Sequence, residues 1–150
     1  MTYIEEKRDL FTVPDNYVLA HCISSDFAMG AGIAKRFTAI GVKERLVGTW
    51  PQKWDGKGYM IPVGLKDKIV LNLVTKERYW MKPTYQTIRE SLEEVKSWLL
   101  SENKVPWMPE LSLAMPKIGC GLDKLSWDKV SQIIKEVFGD TNINILICAL

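Results

Sequence analysis

The chain is poor in the residues that most metal and disulfide proteins depend on. It has three cysteines, Cys22, Cys120 and Cys148, in an odd number and without CxxC spacing. That excludes a disulfide framework and a thiolate zinc site, and it suits a reducing compartment. A single histidine, His21, excludes multi-histidine metal centres. No apolar run approaches the roughly 20 residues that span a bilayer, so no membrane partner is expected. Nor is there a basic stripe. The 20 basic and 18 acidic residues are interspersed and leave a net charge of +2, which argues against strong non-specific binding to nucleic acid. Acids in "MTYIEEKRDLF" occupy the place where a secretory peptide needs an apolar core. The expectation is a cytoplasmic protein, with the nucleus also open in a eukaryotic cell. We find no linker, repeat or composition shift, so residues 1–150 read as one domain and as a monomer.

What is present alternates in period. Residues 2–5, 17–24, 57–64, 68–75, 111–115 and the final "NINILICAL" read as strands. The near-continuous apolarity of "KIVLNLVT" (68–75) places that strand centrally in the sheet. Residues 30–40 have helical spacing at Ile33, Phe37 and Ile40. A longer helix follows Pro83, with Tyr85, Ile88, Leu92, Val95 and Leu99 on one face and Thr84 as its cap. A third runs from about Ser126, an N-cap candidate, to Phe138, and Gly139 ends it. Strands alternating with helices imply right-handed crossovers and an α/β fold with a mostly parallel or mixed sheet.

In such sheets ligands sit beyond the carboxyl ends of the strands. Three loops fall there: "HCISSDFAMGAGIAK", "TKERYWMKPTY" and "PKIGCGLD". Gly30 and Gly32 open a helix whose amides could cradle a phosphate, although a lone GxG serves equally as an ordinary turn. Gly119 and Gly121 permit positive φ and close backbone approach. Two such cradles on one crevice suit a diphosphate better than a single phosphate. Asp123 reads as a general base, a ribose-hydroxyl acceptor or merely an acid before a helix. Lys76, near Arg78 and Lys82, reads as a nucleophile or as a solvated charge. His21 and Cys22 are neighbours on a strand and point to opposite faces, so they form no dyad. A Cys120–His21 dyad remains open, against the bland reading of a buried, inert thiol.

Taken together, "AHCISSDFAMGAGIAKRF", "LVTKERYWMKPTY" and "SLAMPKIGCGLDKLSW", in that order, resemble the macrodomain family. The likeness covers nearly the whole chain and is strongest to the terminal ADP-ribose protein glycohydrolase subgroup, which includes the macrodomain of an antitoxin that removes ADP-ribose from DNA. The resemblance implies a three-layer α/β/α fold with a central mixed, mostly parallel sheet, binding ADP-ribose in a cleft without a metal or other cofactor. By position, Asp9 would accept a hydrogen bond from the adenine amino group, with Leu10 beside it. His21, Cys22, Ile23 and Ser24, with Gly30, Ala31, Gly32 and Ile33, would line the distal ribose and diphosphate. Pro116, Ile118, Gly119, Cys120, Gly121 and Leu122 would form the second phosphate loop. Lys76 and Asp123 match the subgroup's catalytic pair, the lysine attacking C1″ of the distal ribose and the aspartate moving protons.

The implied activity is removal of mono-ADP-ribose from an acidic side chain or a nucleobase, or cleavage of O-acyl-ADP-ribose. The implied partners are ADP-ribose and ADP-ribosylated protein or nucleic acid. A non-catalytic reader and an ADP-ribose-1″-phosphate phosphatase are the competing readings. Two departures stand out. Ser24-Ser25-Asp26 occupies the place where other macrodomains put asparagines, which favours the lysine mechanism. "ICAL" lacks the family's frequent C-terminal aromatic, leaving Leu150 as a substitute for adenine packing. Trp50, Trp54, Trp80 and Trp107 fall in loop-like segments and read as core or rim residues, or as stacking contacts.

Overall fold

The computed structural model describes residues 1–101 and 110–150. Six strands form a single sheet: β1 (Thr2–Lys7), β2 (Val18–Ser24), β3 (Tyr59–Gly64), β4 (Ile69–Lys76), β5 (Ser112–Met115) and β6 (Asn144–Ala149). Their spatial order is β1-β6-β5-β2-β4-β3, and every pairing is parallel except β3 with β4. Four helices connect them: α1 (Gly32–Ala39), α2 (Val42–Thr49), α3 (Tyr85–Leu100) and α4 (Trp127–Phe138).

Alternate residues of the strands feed two cores. Leu71 and Leu73 of β4 meet Ile88, Leu92 and Val95 of α3 and Ile134 of α4, all fully buried. Val70 and Val74 face the other way, toward Phe37, Val42 and Leu46 of α1 and α2. Three layers result. This corrects the placement of residues 68–75, because β4 lies one strand from the edge and β5 and β2 occupy the middle. Its apolar run reports burial on both faces, which needs helices above and below rather than a central position.

The helices also refine the sequence expectations. Thr84 caps α3 in a reciprocal box, its hydroxyl accepting from Thr87 N–H at 3.0 Å while Thr87 Oγ1 accepts from Thr84 N–H at 3.1 Å. Ser126 stands at the N-cap of α4 but makes no capping bond, and its N–H instead donates to the Tyr85 hydroxyl at 3.0 Å. Gly139 closes α4 in right-handed conformation. Ile40 lies past the end of α1 and is exposed, so only Phe37 and, in part, Ile33 carry that helix's apolar face. The short helix α2, held by buried Val42 and Leu46 at i, i+4 spacing, was not anticipated.

Candidate active site

The carboxyl ends of β2, β4 and β5 deliver the three loops to one side of the sheet. Here β4 departs from regular geometry. Ile23 pairs with Val74, but Ser24 pairs with Lys76, so Thr75 is an extra residue in the ladder. A bulge of this kind shifts every later residue to the other face. Lys76 therefore shares the face of Cys22 and Ser24, not that of Val70 and Val74. There its Nζ meets Asp123 Oδ1 at 2.5 Å, with both side chains largely withdrawn from water at 14% and 17% exposure. The pair stands in a cleft of about 960 Å³.

The β2–α1 and β4–α3 loops are tied to each other. Ser25 N–H donates to Lys76 O at 2.9 Å and Ser25 Oγ to Glu77 O at 2.7 Å. Asp26 accepts from Ser24 Oγ, Ala28 N–H and, through its second oxygen, Tyr79 N–H at 3.0 Å. Burial would raise the Asp26 carboxyl, but these bonds, led by that from Ser24, outweigh it and hold the carboxyl below the usual range.

The glycines divide into two kinds. Gly32 and Gly119 adopt φ of +60° and +73°, and a Cβ on Gly119 would come within 3.0 Å of Leu125 Cδ1. The fold itself requires these two. Gly30 and Gly121 have no positive φ, and a Cβ would meet nothing closer than Ala28 O at 3.9 Å for Gly30 and nothing within 4 Å for Gly121, among the described residues. The expected positive φ at Gly121 is thus absent. Its lack of a side chain serves the space in front of it. On the facing wall, α1 starts after Ala31, which has no polar group to cap it, so the helix's first amides are left for a ligand. Leu122 reaches across, its Cδ1 3.9 Å from where a Cβ on Gly32 would stand.

Of the residues singled out in the sequence, Cys22, Ile23, Ser24, Gly30, Ala31, Gly32, Ile33, Lys76, Pro116, Ile118, Gly119, Gly121, Leu122 and Asp123 line this cleft. Four do not. Asp9 caps the single 3-10 turn Leu10–Thr12, its Oδ1 accepting from Phe11 N–H at 2.9 Å and from Arg36 at 2.7 Å, and Leu10 is buried behind it. The Arg36 guanidinium holds the Asp9 carboxyl below its usual range, and among the described residues no donor reaches its second oxygen. His21 is fully buried against the Phe37 ring at 4.0 Å, on the α1 face of the sheet.

Cys120 packs against the other core, so the sheet separates it from His21 and the alternative dyad does not form. Burial also raises the thiols of Cys22 and Cys120, the opposite of what a thiolate nucleophile needs. Trp50 is exposed and Trp54 packs on the second core. Leu150 is exposed and outside the cleft lining. Trp107 lies outside the described residues.

The sequence reading missed Tyr79 and Met81 as lining residues, left Trp80 undecided, and gave Asp26 no part in fixing the loop. The available signal was the "RYWM" cluster of large apolar residues in a loop between charges.

A six-stranded mixed sheet covered on both faces, with glycine loops and a Lys–Asp pair at the strand ends, is a macrodomain architecture. The macrodomain of Mycobacterium tuberculosis DarG superposes with a TM-score of 0.73 at 21% identity, covering 98% of this chain and 97% of that one. The structure of Thermosipho africanus DarTG in complex with ADP-ribose gives 0.71 at 19% identity, over 99% of this chain and 42% of that one. No protein-family model matches the chain. In sequence, the ADP-ribose glycohydrolase OARD1 of Bos taurus is 43% identical over 153 residues, spanning 100% of this chain and 91% of that protein. The chain belongs to the macrodomain family.

Proposed function

We propose that this protein is a hydrolase that removes mono-ADP-ribose from an acceptor, either the carboxylate of an acidic side chain or a nucleobase, with Lys76 as nucleophile and Asp123 as its proton partner. The observation that carries the reading is the Lys76 Nζ–Asp123 Oδ1 contact at 2.5 Å, between two withdrawn side chains in the large cleft. The similarity to an ADP-ribose glycohydrolase over the whole chain supports it, as does the ADP-ribose held by a DarTG of the same fold.

In this scheme the free amides at the start of α1 and the open backbone at Gly30 and Gly121 take the diphosphate, and Asp9 Oδ2 takes the adenine amino group. That fixes the distal ribose over Lys76. The ammonium passes a proton to Asp123 Oδ1, and the freed amine attacks C1″. An Nζ–C1″ bond forms as the bond from C1″ to the acceptor breaks. A carboxylate acceptor leaves as the anion, whereas a nucleobase takes the proton back from Asp123. Water then hydrolyses the lysyl adduct, releasing ADP-ribose and restoring the amine.

The test pairs wild type with Lys76→Ala on glutamate-linked ADP-ribosylated protein and on base-linked ADP-ribosylated oligonucleotides. Wild type should release free ADP-ribose. Lys76→Ala should lose at least about 1000-fold in turnover, within the range seen for removal of a covalent nucleophile, while calorimetry still shows ADP-ribose binding. Intact mass spectrometry after acid quench should find one ADP-ribosyl adduct on wild type only. Release by Lys76→Ala at the wild-type rate would end the covalent scheme. Binding by both proteins without release would make the chain a reader.

A further inference from the structure

The turn leaving Lys76 carries two large rings into water. Tyr79 is 66% exposed and Trp80 70% exposed, and both, with Met81, line the cleft. They are presented on a fixed support. Met81 N–H closes the turn onto Arg78 O at 3.0 Å, Tyr79 N–H is held by Asp26, and Ser25 grips the backbone at Lys76 and Glu77. Leaving two aromatic surfaces uncovered forgoes a large hydrophobic gain. Holding them still while uncovered suits a surface that something else covers.

Their place in the cleft says which part of a substrate that is. Tyr79 and Trp80 follow Lys76 by three and four residues and line the same cleft, so a group attached to C1″ over Lys76 departs within a short span of both rings. This argument rests on the hydrolase reading above.

Charge then narrows the chemistry. Arg78 and Lys82 are exposed on the same turn, and Lys117 is exposed on the facing loop. Among the described residues none of the three is in an ion pair. The Asp26 carboxylate attracts Arg78 across the turn, but its oxygens accept from three neutral donors and it closes no ion pair with Arg78. Rings flanked by cations outside any ion pair are the combination that takes single-stranded nucleic acid, the bases stacking and the phosphates pairing. A glutamyl ester offers the cations its acidic neighbours but gives the rings no planar partner.

We infer that Tyr79 and Trp80 form an acceptor subsite that stacks a nucleobase of single-stranded nucleic acid at the point of ADP-ribose attachment, with Arg78 and Lys82 contacting the flanking phosphates.

The test compares kcat/KM for release of ADP-ribose from a base-linked single-stranded oligonucleotide and from a glutamate-linked peptide. Wild type, Trp80→Ala and Trp80→Phe are measured, each checked by thermal melting. In Trp80→Ala the ratio of base-linked to glutamate-linked kcat/KM should fall about 10- to 100-fold, the range for loss of one stacked base, and Trp80→Phe should recover most of it. The oligonucleotide KM should rise with salt less steeply in the Arg78→Gln/Lys82→Gln protein than in wild type. An unchanged ratio in Trp80→Ala, whether both substrates suffer equally or neither does, overturns the subsite. So does a wild type that acts on the glutamate linkage alone, and in that case the hydrolase reading stands. If wild type releases ADP-ribose from neither substrate, the hydrolase reading falls and the subsite falls with it.

Discussion

At the scale of single residues, Gly119 and Gly121 look alike in sequence and do different things. Gly119 sits at φ +73° beneath Leu125 and Ile88, where a Cβ would lie 3.0 and 3.4 Å from their terminal carbons. Gly121 sits in open space. Gly119→Ala should therefore destabilise the protein by about 1–2 kcal/mol from the left-handed backbone alone, more if the leucine cannot yield. Gly121→Ala should unfold at the wild-type denaturant midpoint and bind ADP-ribose roughly tenfold more weakly, because the methyl group holds a phosphate away from its amide donors. Chemical denaturation and calorimetry on the two variants separate these effects. A Gly121→Ala protein with unimpaired affinity would remove that loop from the diphosphate site. The thiols complete the residue-scale picture. Cys22 lines the cleft, yet burial and the neighbouring Asp123 carboxylate raise its thiol and leave it as packing.

At the scale of elements, the strand and helix periods of β2, β4, α3 and α4 were legible because each buries a face at its own repeat. The Thr84 cap was legible from its position after Pro83. The bulge at Thr75 was not. "LNLVTK" contains no glycine or proline to mark an extra residue, and simple alternation would have sent Lys76 to the wrong face. Its position at the strand end made Lys76 a candidate nucleophile, and the resemblance supplied its pairing with Asp123; periodicity could give neither. The loop tie was equally hidden, because Asp26 and Tyr79 are 53 positions apart and meet only through folding. The tie can be tested. Asp26→Asn sets an amide donor against one of the donors that Asp26 now accepts, so the β4–α3 turn should loosen. The expected result is a fall of about 10-fold in kcat, in line with the cost of misplacing reacting groups, with ADP-ribose affinity little changed. Trypsin should cut faster after Arg78, which is exposed on that turn, whereas the Lys82–Pro83 bond resists the protease. An affinity that falls in step with kcat, or an unaltered digestion rate, would assign Asp26 another role.

At the scale of the whole molecule, the fold carries one buried switch that opposes its stability in acid. Asn72 uses its amide nitrogen on Ile61 O and Val70 O, so its Oδ1 must accept, and His21 Nε2–H is the donor at 2.7 Å. The other ring nitrogen, Nδ1, is buried without a partner among the described residues. A proton added there would have no acceptor, and burial depresses the imidazole from 6.5 to about 4. An unfolded chain takes up this proton as pH falls through 6.5, while the folded chain resists until about pH 4. Stability must therefore fall with pH across that window, by about 1.4 kcal/mol per pH unit at its steepest. The carboxylates of Asp9 and Asp26 are held below their ordinary range and give up their contribution only in stronger acid. As the single histidine, His21 should dominate between pH 6.5 and 4. Urea unfolding of wild type at pH 7 and pH 5 should differ by roughly 2 kcal/mol, following the same linkage. His21→Gln keeps an amide donor for Asn72 and cannot titrate, so its stability should change by less than about 0.5 kcal/mol over that interval. Its ADP-ribose affinity at pH 7 should match wild type, because the ring faces Phe37 and not the cleft. A wild type whose stability is flat from pH 7 to pH 5 would mean that His21 is solvated or already charged in the folded protein, and the packing of α1 on β2 would then have to differ from that described.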